Sequence, residues 1–432
     1  MRYDPSIKRM SREARASGSI KSAAEDFVVE EITKSGAVLE VGKTGLAEAD
    51  LPPFSKPEGR NEGNFSIFII QKRNWNTIQA LKEVAKACGV GFKSVGFAGT
   101  KDRISVSTQL CSMYGVEPSQ LNRLHLKDIS INGAWKSSEG VKLGDLLGNR
   151  FTVVVRGAED CAQIEKINKS LAGIFPNYYG RQRFGSRLNN VEIGVHLLKG
   201  EFKEAVMLFL TDTSGERDKS HTEARTRLSK EWDFAEALHY FPKSMKYERS
   251  ALNKLSRNHD DYAGAIRALP RQMQLMFVHS VASYIFNRAL LRRIEEEGSA
   301  SPRTGDAVCS SNFYGFPDIS TAHSYSAGEK NVFMLGNVLG YDTKRVDAYE
   351  ETIMEEMGIT LDLFKVRKLP GLGSKGTLRP LFAPYLGFSS TAMGGSATIR
   401  FSLPAGSYAT VLLNEFLEIR EPEAAPPQRT GD

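Results

Sequence analysis

The segment Gly96-Phe97-Ala98-Gly99-Thr100-Lys101-Asp102-Arg103 gathers residue types that chemistry can use. Two glycines around an alanine permit a tight backbone, and a carboxylate follows between two cations, which favour its charged form. A charged loop in solvent would show the same residue types. A second segment, Asn177-Tyr178-Tyr179-Gly180-Arg181-Gln182-Arg183-Phe184-Gly185, interleaves aromatic rings with arginines. Rings stack on bases and guanidinium groups clamp phosphates, the combination that single-stranded or flipped nucleotides need. Rings docked onto a core would give the same pattern. A third segment, Lys21-Ser22-Ala23-Ala24-Glu25-Asp26-Phe27, leads into an apolar run, and a fourth, Leu403-Pro404-Ala405-Gly406-Ser407-Tyr408-Ala409-Thr410, links a strand pattern to a helix pattern. In isolation these two read as a charged strand entry and a structural turn.

These segments sit between recognisable elements. Residues 27–32 and 37–41 flank the turn signal Lys34-Ser35-Gly36 and predict a β-hairpin. A loop rich in Gly, Pro and charge runs from about Gly42 to Asn64, and Phe65–Ile70 reads as a buried strand. A helix follows, with Asn76 or Thr77 as cap, Ile78, Leu81, Val84, Ala85 and Cys88 on one face, and Gly89 as stop. Phe151–Val155 and Ala397–Leu403 read as strands, the latter broken by Pro404-Ala405-Gly406 before a helix from a Ser407 cap to about Ile419. The middle differs: residues 205–260 are charged with little strand signal, and residues 271–297 form an amphipathic helix ending at Gly298. The expected organisation is a flexible basic arm at 1–19 and a β-rich domain in two pieces, 20–204 and 376–420. A largely helical insertion at 205–375 separates the pieces, and a disordered Pro-containing tail spans 421–432.

Composition narrows the function classes. The chain has 432 residues, 41% hydrophobic and 25% charged, which is ordinary globular composition. No apolar run approaches the roughly 18 residues of a transmembrane helix, and the basic start lacks the apolar stretch of a secretory signal. The net charge of +6 is compatible with a polyanionic partner without demanding one. Cys88, Cys111, Cys161 and Cys309 lie far apart, and the seven histidines form no HxH or HExxH pair, so neither a disulfide framework nor a metal site is expected. Gly371-Leu372-Gly373-Ser374-Lys375-Gly376 matches GxGxxG, but Pro370 and Pro380 on either side argue for a loop rather than a dinucleotide-binding turn. Gly42-Lys43-Thr44 lacks the first glycine of a Walker motif.

Taken together, the segments resemble one family. GFAGTKDR is similar to the GFAGxKDK-type signature of the TruD family of tRNA pseudouridine synthases, NYYGRQRFG to its NYFGxQRFG, and IKSAAEDFVVEEI to its LKxxPEDFxVxE, with Ala24 where proline is usual. LGNRFTVVVR, RFSLPAGSYATVLLNEFL and the short Gly305-Asp306-Ala307 resemble further blocks in the same order, so the resemblance runs from about residue 20 to 419. The length and the charged section look more like the archaeal and eukaryotic members than the compact bacterial ones.

The resemblance implies an α+β pseudouridine synthase fold with a mixed, mostly antiparallel sheet, flanking helices and a largely helical α/β insertion domain. It implies an isomerase acting on uridine of tRNA, at uridine 13, without cofactor or metal, in a monomeric cytoplasmic protein. Asp102 is then the catalytic carboxylate, whether it attacks C1′ or takes the 2′ proton, and Lys21 the cation paired with it. Phe27, Asn177 and Tyr179 are implied to form the base pocket, with Tyr179 where the family usually has phenylalanine. Lys101, Arg103, Arg181 and Arg183 are the implied RNA contacts. A non-catalytic RNA-binding or folding factor on the same scaffold is the alternative; loss of the aspartate would be its simplest signature, and GTKD is intact.

Overall fold

The computed structural model describes residues 3–4, 7–47, 63–298 and 301–420. The chain divides into two compact units. One, here the sheet unit, comprises Arg9–Phe175, Ser311–Pro317 and the chain from Ala383 onward; the other, the helical unit, comprises Met1–Lys8, Pro176–Ser310 and Asp318–Phe382. The helical unit thus starts at Pro176, ahead of the 205 expected from composition, because helices before that point belong with it. The tail at 421–432 and much of the loop after Gly42 lie outside the described residues.

The sheet unit is organised by one long path of strands: Leu386–Met393, Ser396–Pro404, Leu146–Glu159, Phe27–Thr33, Val106–Tyr114, Phe65–Arg73 and Ile129–Ser137. Every neighbour on this path is antiparallel except Phe27–Thr33 and Val106–Tyr114, which run parallel. Phe27–Thr33 has a strand on both sides, and all of it but Val28 is buried, Glu30 and Glu31 included. The expected hairpin reduces to a single bridge between Ile32 and Val38. Val106–Tyr114 takes one edge over Val28–Glu30, so the main chain of the return segment bonds only at Glu31 and Thr33 and the segment buries Leu39 against Ile67, Ile69 and Leu110. The helix Thr77–Ala87, capped by the Asn76 side chain accepting from Ile78 N, lays Ala80, Leu81, Val84 and Ala85 over Phe68, Ile70, Cys111 and Met113.

The N-terminal segment is not a flexible arm where it is described. Ala16–Ser19 is a strand, parallel to Leu417–Ile419 and antiparallel to Leu146–Glu159. Just ahead of it the buried Glu415 carboxylate accepts from Met10 N and Ser11 N at 3.0 Å each. Strand Leu417–Ile419 follows the C-terminal helix Ala409–Phe416, which is shorter than expected. In the helical unit, Tyr3 N donates to Glu192 Oε1 at 2.7 Å and the Tyr3 ring meets Tyr284 edge-on.

The helical unit is centred on the helix Arg271–Glu297, ended by Gly298 in the left-handed region. A four-stranded sheet, in the order His323–Ser324, Ala307–Ser310, Val332–Val338, Thr377–Pro380, completes the unit. Gly371–Gly376 begins within a short 3-10 turn at Pro370–Leu372 and leads into that last strand. The helix Asn190–Lys199 approaches the long helix closely at Gly194, where a Cβ would stand 2.2 Å from the Phe277 carbonyl oxygen. In an open helix, Gly→Ala gains roughly 0.5–1 kcal/mol. Here overpacking against backbone, worth about 1–3 kcal/mol, outweighs that gain. Gly194→Ala is therefore expected to lower the denaturant midpoint of unfolding; a raised midpoint would show that the two helices part freely at this crossing.

Candidate active site

The parallel pair decides where the polar segments meet. Val28 lies opposite Val106 and Val29 opposite Ser107, so the residues leading into both strands sit at one end of the sheet. Phe65–Arg73, antiparallel to Val106–Tyr114, finishes at that end, with Lys72 opposite Ser107 and Arg73 opposite Val106. Lys21, Phe27, Lys72, Lys101 and Asp102 converge there.

Asp102 is held twice. Its Oδ2 accepts from the Lys21 ammonium at 2.5 Å. Its main-chain carbonyl accepts from Lys72 Nζ at 2.8 Å and from Ser105 Oγ at 2.7 Å. The Asp102 side chain is 34% exposed, and Oδ1 has no hydrogen-bond partner among the described residues. One carboxylate oxygen is thus fixed by a cation while the other is open to an incoming group. Lys21 has a φ of 59°, a left-handed conformation costly for a residue with a Cβ. Its ammonium also lies 4.1 Å from the centre of the Phe27 ring. Phe27, 1% exposed and edge-on to Phe151, therefore supports Lys21 from below rather than opening onto a pocket. The turn between Lys21 and Phe27 is set by Asp26. Its carboxylate accepts from Ala23 N and takes a bidentate grip from Arg156, whose hydrogen bonds hold it below the usual aspartate range.

Two cations of the Asp102 loop have opposite fates. Lys101 was expected to contact RNA phosphate, and its position corrects this: it is buried, with its ammonium donating to Glu31 Oε2 at 2.6 Å. Glu31 is fully buried, so its charge requires this partner. Lys101 N also donates to Thr77 Oγ1 at 2.9 Å, tying the loop to the helix start. Lys101 is thus an anchor. Arg103 is exposed and makes no ion pair among the described residues.

The remaining expected residues belong to the helical unit. Asn177 is buried and engages both ends of its amide: Nδ2 donates to the Pro380 carbonyl and Oδ1 accepts from the Arg379 guanidinium. This is a structural use of the amide where a substrate contact was expected. Tyr179 has its main chain clamped by one side chain, Asn287, whose Oδ1 accepts from Tyr179 N at 2.8 Å and whose Nδ2 donates to Tyr179 O at 2.9 Å. The Tyr179 ring is 9% exposed, with the Arg379 guanidinium 4.2 Å and the Arg183 guanidinium 5.3 Å from its centre. Arg183 also donates to Ser283 Oγ, so it is partly engaged inside the unit, whereas Arg181 is exposed.

Sequence reasoning missed Lys72 and Arg379. Lys72 is 1% exposed inside a strand, and burial pushes its ammonium down to about 8, against the pull of Asp102 and with the push of Lys101. The available signal was a lone lysine at the end of the strand that pairs beside Val106. Unfolded lysine titrates near about 10.4, so between about pH 8 and that value the unfolded chain holds a proton that folded Lys72 has released. Stability contributed by this residue therefore rises with pH across that window, by up to about 3 kcal/mol. The unfolding free energy of the parent minus that of Lys72→Met is expected to climb from pH 7 to 10.5. A flat difference would show that Lys72 is solvated in the folded protein.

The sequence and the architecture have counterparts in known proteins. The family model described as tRNA pseudouridine synthase D (TruD) matches residues 8–416. A relative named "Probable tRNA pseudouridine synthase D" from Thermococcus sibiricus is 34% identical over 427 residues, covering 93% of this chain and 95% of the relative. One of the same name from Methanosarcina barkeri is 31% identical over 432 residues, covering 93% of each. A crystal structure of the TruD protein from Methanosarcina mazei superposes with a TM-score of 0.73 at 29% identity, covering 96% of this chain and 97% of that one. With a match that spans both units and the Asp102 loop alike, the chain belongs to the tRNA pseudouridine synthase D (TruD) family.

Proposed function

We propose that this protein isomerises uridine 13 of tRNA to pseudouridine and that Asp102 is the group that carries the chemistry. The observation behind this reading is the state of the Asp102 carboxylate: one oxygen clamped by Lys21, the other open, in a side chain that is one-third exposed. The reaction breaks the bond between C1′ and N1, turns the base, and joins C1′ to C5; C5 loses a proton and N1 gains one. Atoms and electrons balance within the substrate. What the reaction asks of the protein is a fixed carboxylate at the ribose and a surface that retains the detached base. Lys21 positions the carboxylate, and Lys72 and Ser105 fix the main chain that carries it. The choice of uridine 13 rests on the family resemblance. None of the described helices is long and apolar enough to cross a membrane, and work on tRNA suits a cytoplasmic protein.

Because the target uridine must leave its stack, an aromatic ring that receives it offsets an unstacking cost of a few kcal/mol. Tyr179 is the ring we assign to that role, by motif.

Asp102→Asn preserves the shape and removes the charge. Pseudouridine formation, mapped on tRNA with the purified protein, is expected to be abolished while tRNA affinity stays within several-fold. A variant that still works near the parent rate would remove Asp102 from the chemistry.

For Tyr179, the ring alone is expected to matter. Tyr179→Phe should keep most of the single-turnover rate on saturating tRNA. Tyr179→Leu should lose the stacking contribution, about 1–3 kcal/mol, or roughly tenfold to over a hundredfold in rate. Melting curves run alongside identify any loss caused by the missing arginine contacts. A hundredfold fall in the phenylalanine variant with binding intact would make the hydroxyl a proton carrier, since general acid–base catalysis contributes about 10²–10⁴-fold.

A further inference from the structure

The chain's net positive charge is concentrated beside the Asp102 loop. Residues 74–127 contain seven Lys and Arg against three Asp and Glu, a net +4 of the chain's +6. The other 378 residues hold 50 basic and 48 acidic side chains, which nearly cancel. Within the segment, Lys101 is buried against Glu31 and Glu117 is paired with Lys136. What solvent meets is Lys82, Lys86, Lys93, Arg103, Arg123 and Lys127, all exposed, with Glu83 as the one unpaired exposed acid of the segment. None of these six cations makes an ion pair among the described residues. Elsewhere, exposed cations such as Arg227, Lys344 and Arg367 do.

The fold gathers these cations onto adjoining elements. Lys82 and Lys86, four residues apart, share the solvent face of the helix Thr77–Ala87, opposite the face packed on the sheet. The Lys82 ammonium lies 5.7 Å from the Phe92 ring, which places the turn carrying Lys93 beside it. Gln120 donates to the Cys88 carbonyl at 3.1 Å, drawing the short helix before Arg123 to the end of the longer one. Trp75 Nε1 donates to the Lys127 carbonyl at 3.2 Å, tying the far end of that loop to the helix entry. The helix start itself is bonded to Lys101, and Arg103 is two residues further on. At 1.5 Å per residue, Lys82 and Lys86 stand about 6 Å apart along the helix.

Isolated surface lysines are normally balanced by acids or scattered among them, as in the rest of this chain. A run of unbalanced cations on neighbouring elements suits a partner whose charges repeat at close spacing. We propose that this face, centred on Lys82, Lys86 and Lys93 and flanked by Arg103, Arg123 and Lys127, grips the sugar–phosphate backbone of the tRNA away from the reacting nucleotide. The inference rests on the reading of tRNA as substrate and adds a surface to it. The contact is to phosphates, so it sets affinity and register rather than sequence preference.

The test is the salt dependence of tRNA binding by the full chain. Each phosphate contact contributes a slope of about 0.7–0.9 to log affinity against log salt. The triple variant Lys82→Ala/Lys86→Ala/Lys93→Ala replaces exposed side chains only. It is expected to flatten the slope by about 2, and to weaken binding at least tenfold in low salt. Its single-turnover rate at saturating tRNA should change far less than its affinity. Lys166→Ala/Lys169→Ala, on exposed positions of another helix of the same unit, should leave the slope unchanged. An unaltered slope in the triple variant overturns the proposal. So does an equal loss per lysine in the Lys166/Lys169 variant, which would mean that any surface charge counts alike. Affinity is read without turnover, so this outcome stays separate from whether the parent forms pseudouridine.

Discussion

The parallel pairing of Phe27–Thr33 with Val106–Tyr114 is the constraint on which the candidate site depends. Antiparallel neighbours would send the two leading segments to opposite ends of the sheet; parallel ones bring Lys21 and Asp102 to the same end. The pairing also forces charge into a place with little water. Lys72, Lys101 and Glu31 are buried there, and Glu30, also buried, is matched by Arg150 at 2.6 Å. Each buried cation has a job in the backbone geometry. Lys101 answers Glu31, so removing it leaves a buried carboxylate without its cation, and Lys72 shares the carbonyl of Asp102 with Ser105. Asp102 keeps its position because the groups around it cannot move independently.

Much of this was legible in the sequence, and the exceptions have physical causes. Phe65–Arg73, Leu146–Glu159 and Ser396–Pro404 announce themselves by apolar patterning, and Thr77–Ala87 by its cap, apolar face and terminal glycine. Lys21, Phe27 and Asp102 were found by motif, and their convergence follows from the fold. Lys101 reads as an RNA contact and Lys72 goes unnoticed because charge is normally solvated, and nothing local reveals that Glu31 and the Asp102 carbonyl await them. The strand Ala16–Ser19 escaped because Ala-Ser-Gly-Ser has no apolar alternation; it exists through its neighbours on both sides. The start of the helical unit was placed too late because the helices Asn190–Lys199 and Phe202–Thr211 carry no composition shift. Only packing on Arg271–Glu297, through Gly194, assigns the first of them.

Charge is handled in two ways. In the helical unit, two buried arginines are each matched by two acids, Arg225 by Glu216 and Glu248 and Arg293 by Asp306 and Glu297. Such pairs fix local geometry and project little field, since opposite charges at contact distance cancel a few ångströms away. The unmatched cations around Thr77–Ala87 do the reverse. They make no ion pair among the described residues, and their field extends about a Debye length, roughly 8 Å at physiological salt. A polyanion approaching the sheet unit meets that field first, and the paired interior is invisible to it.

The surroundings of Tyr179 show why a tyrosine can stand where the family resemblance expects phenylalanine. Asn287 fixes the residue through its main chain, donating to one group and accepting from the other. Arg379 and Arg183 approach the ring itself, attracted by the π cloud that phenylalanine shares. Phe286 meets it edge-on, again a contact indifferent to the hydroxyl. All of these interactions act on the ring or the backbone. For the stacking role we propose, a ring immobilised in this way would lose little freedom under a base, leaving more of the stacking energy to retain it. Rigidity of the ring, rather than reactivity of its substituent, is what these contacts supply.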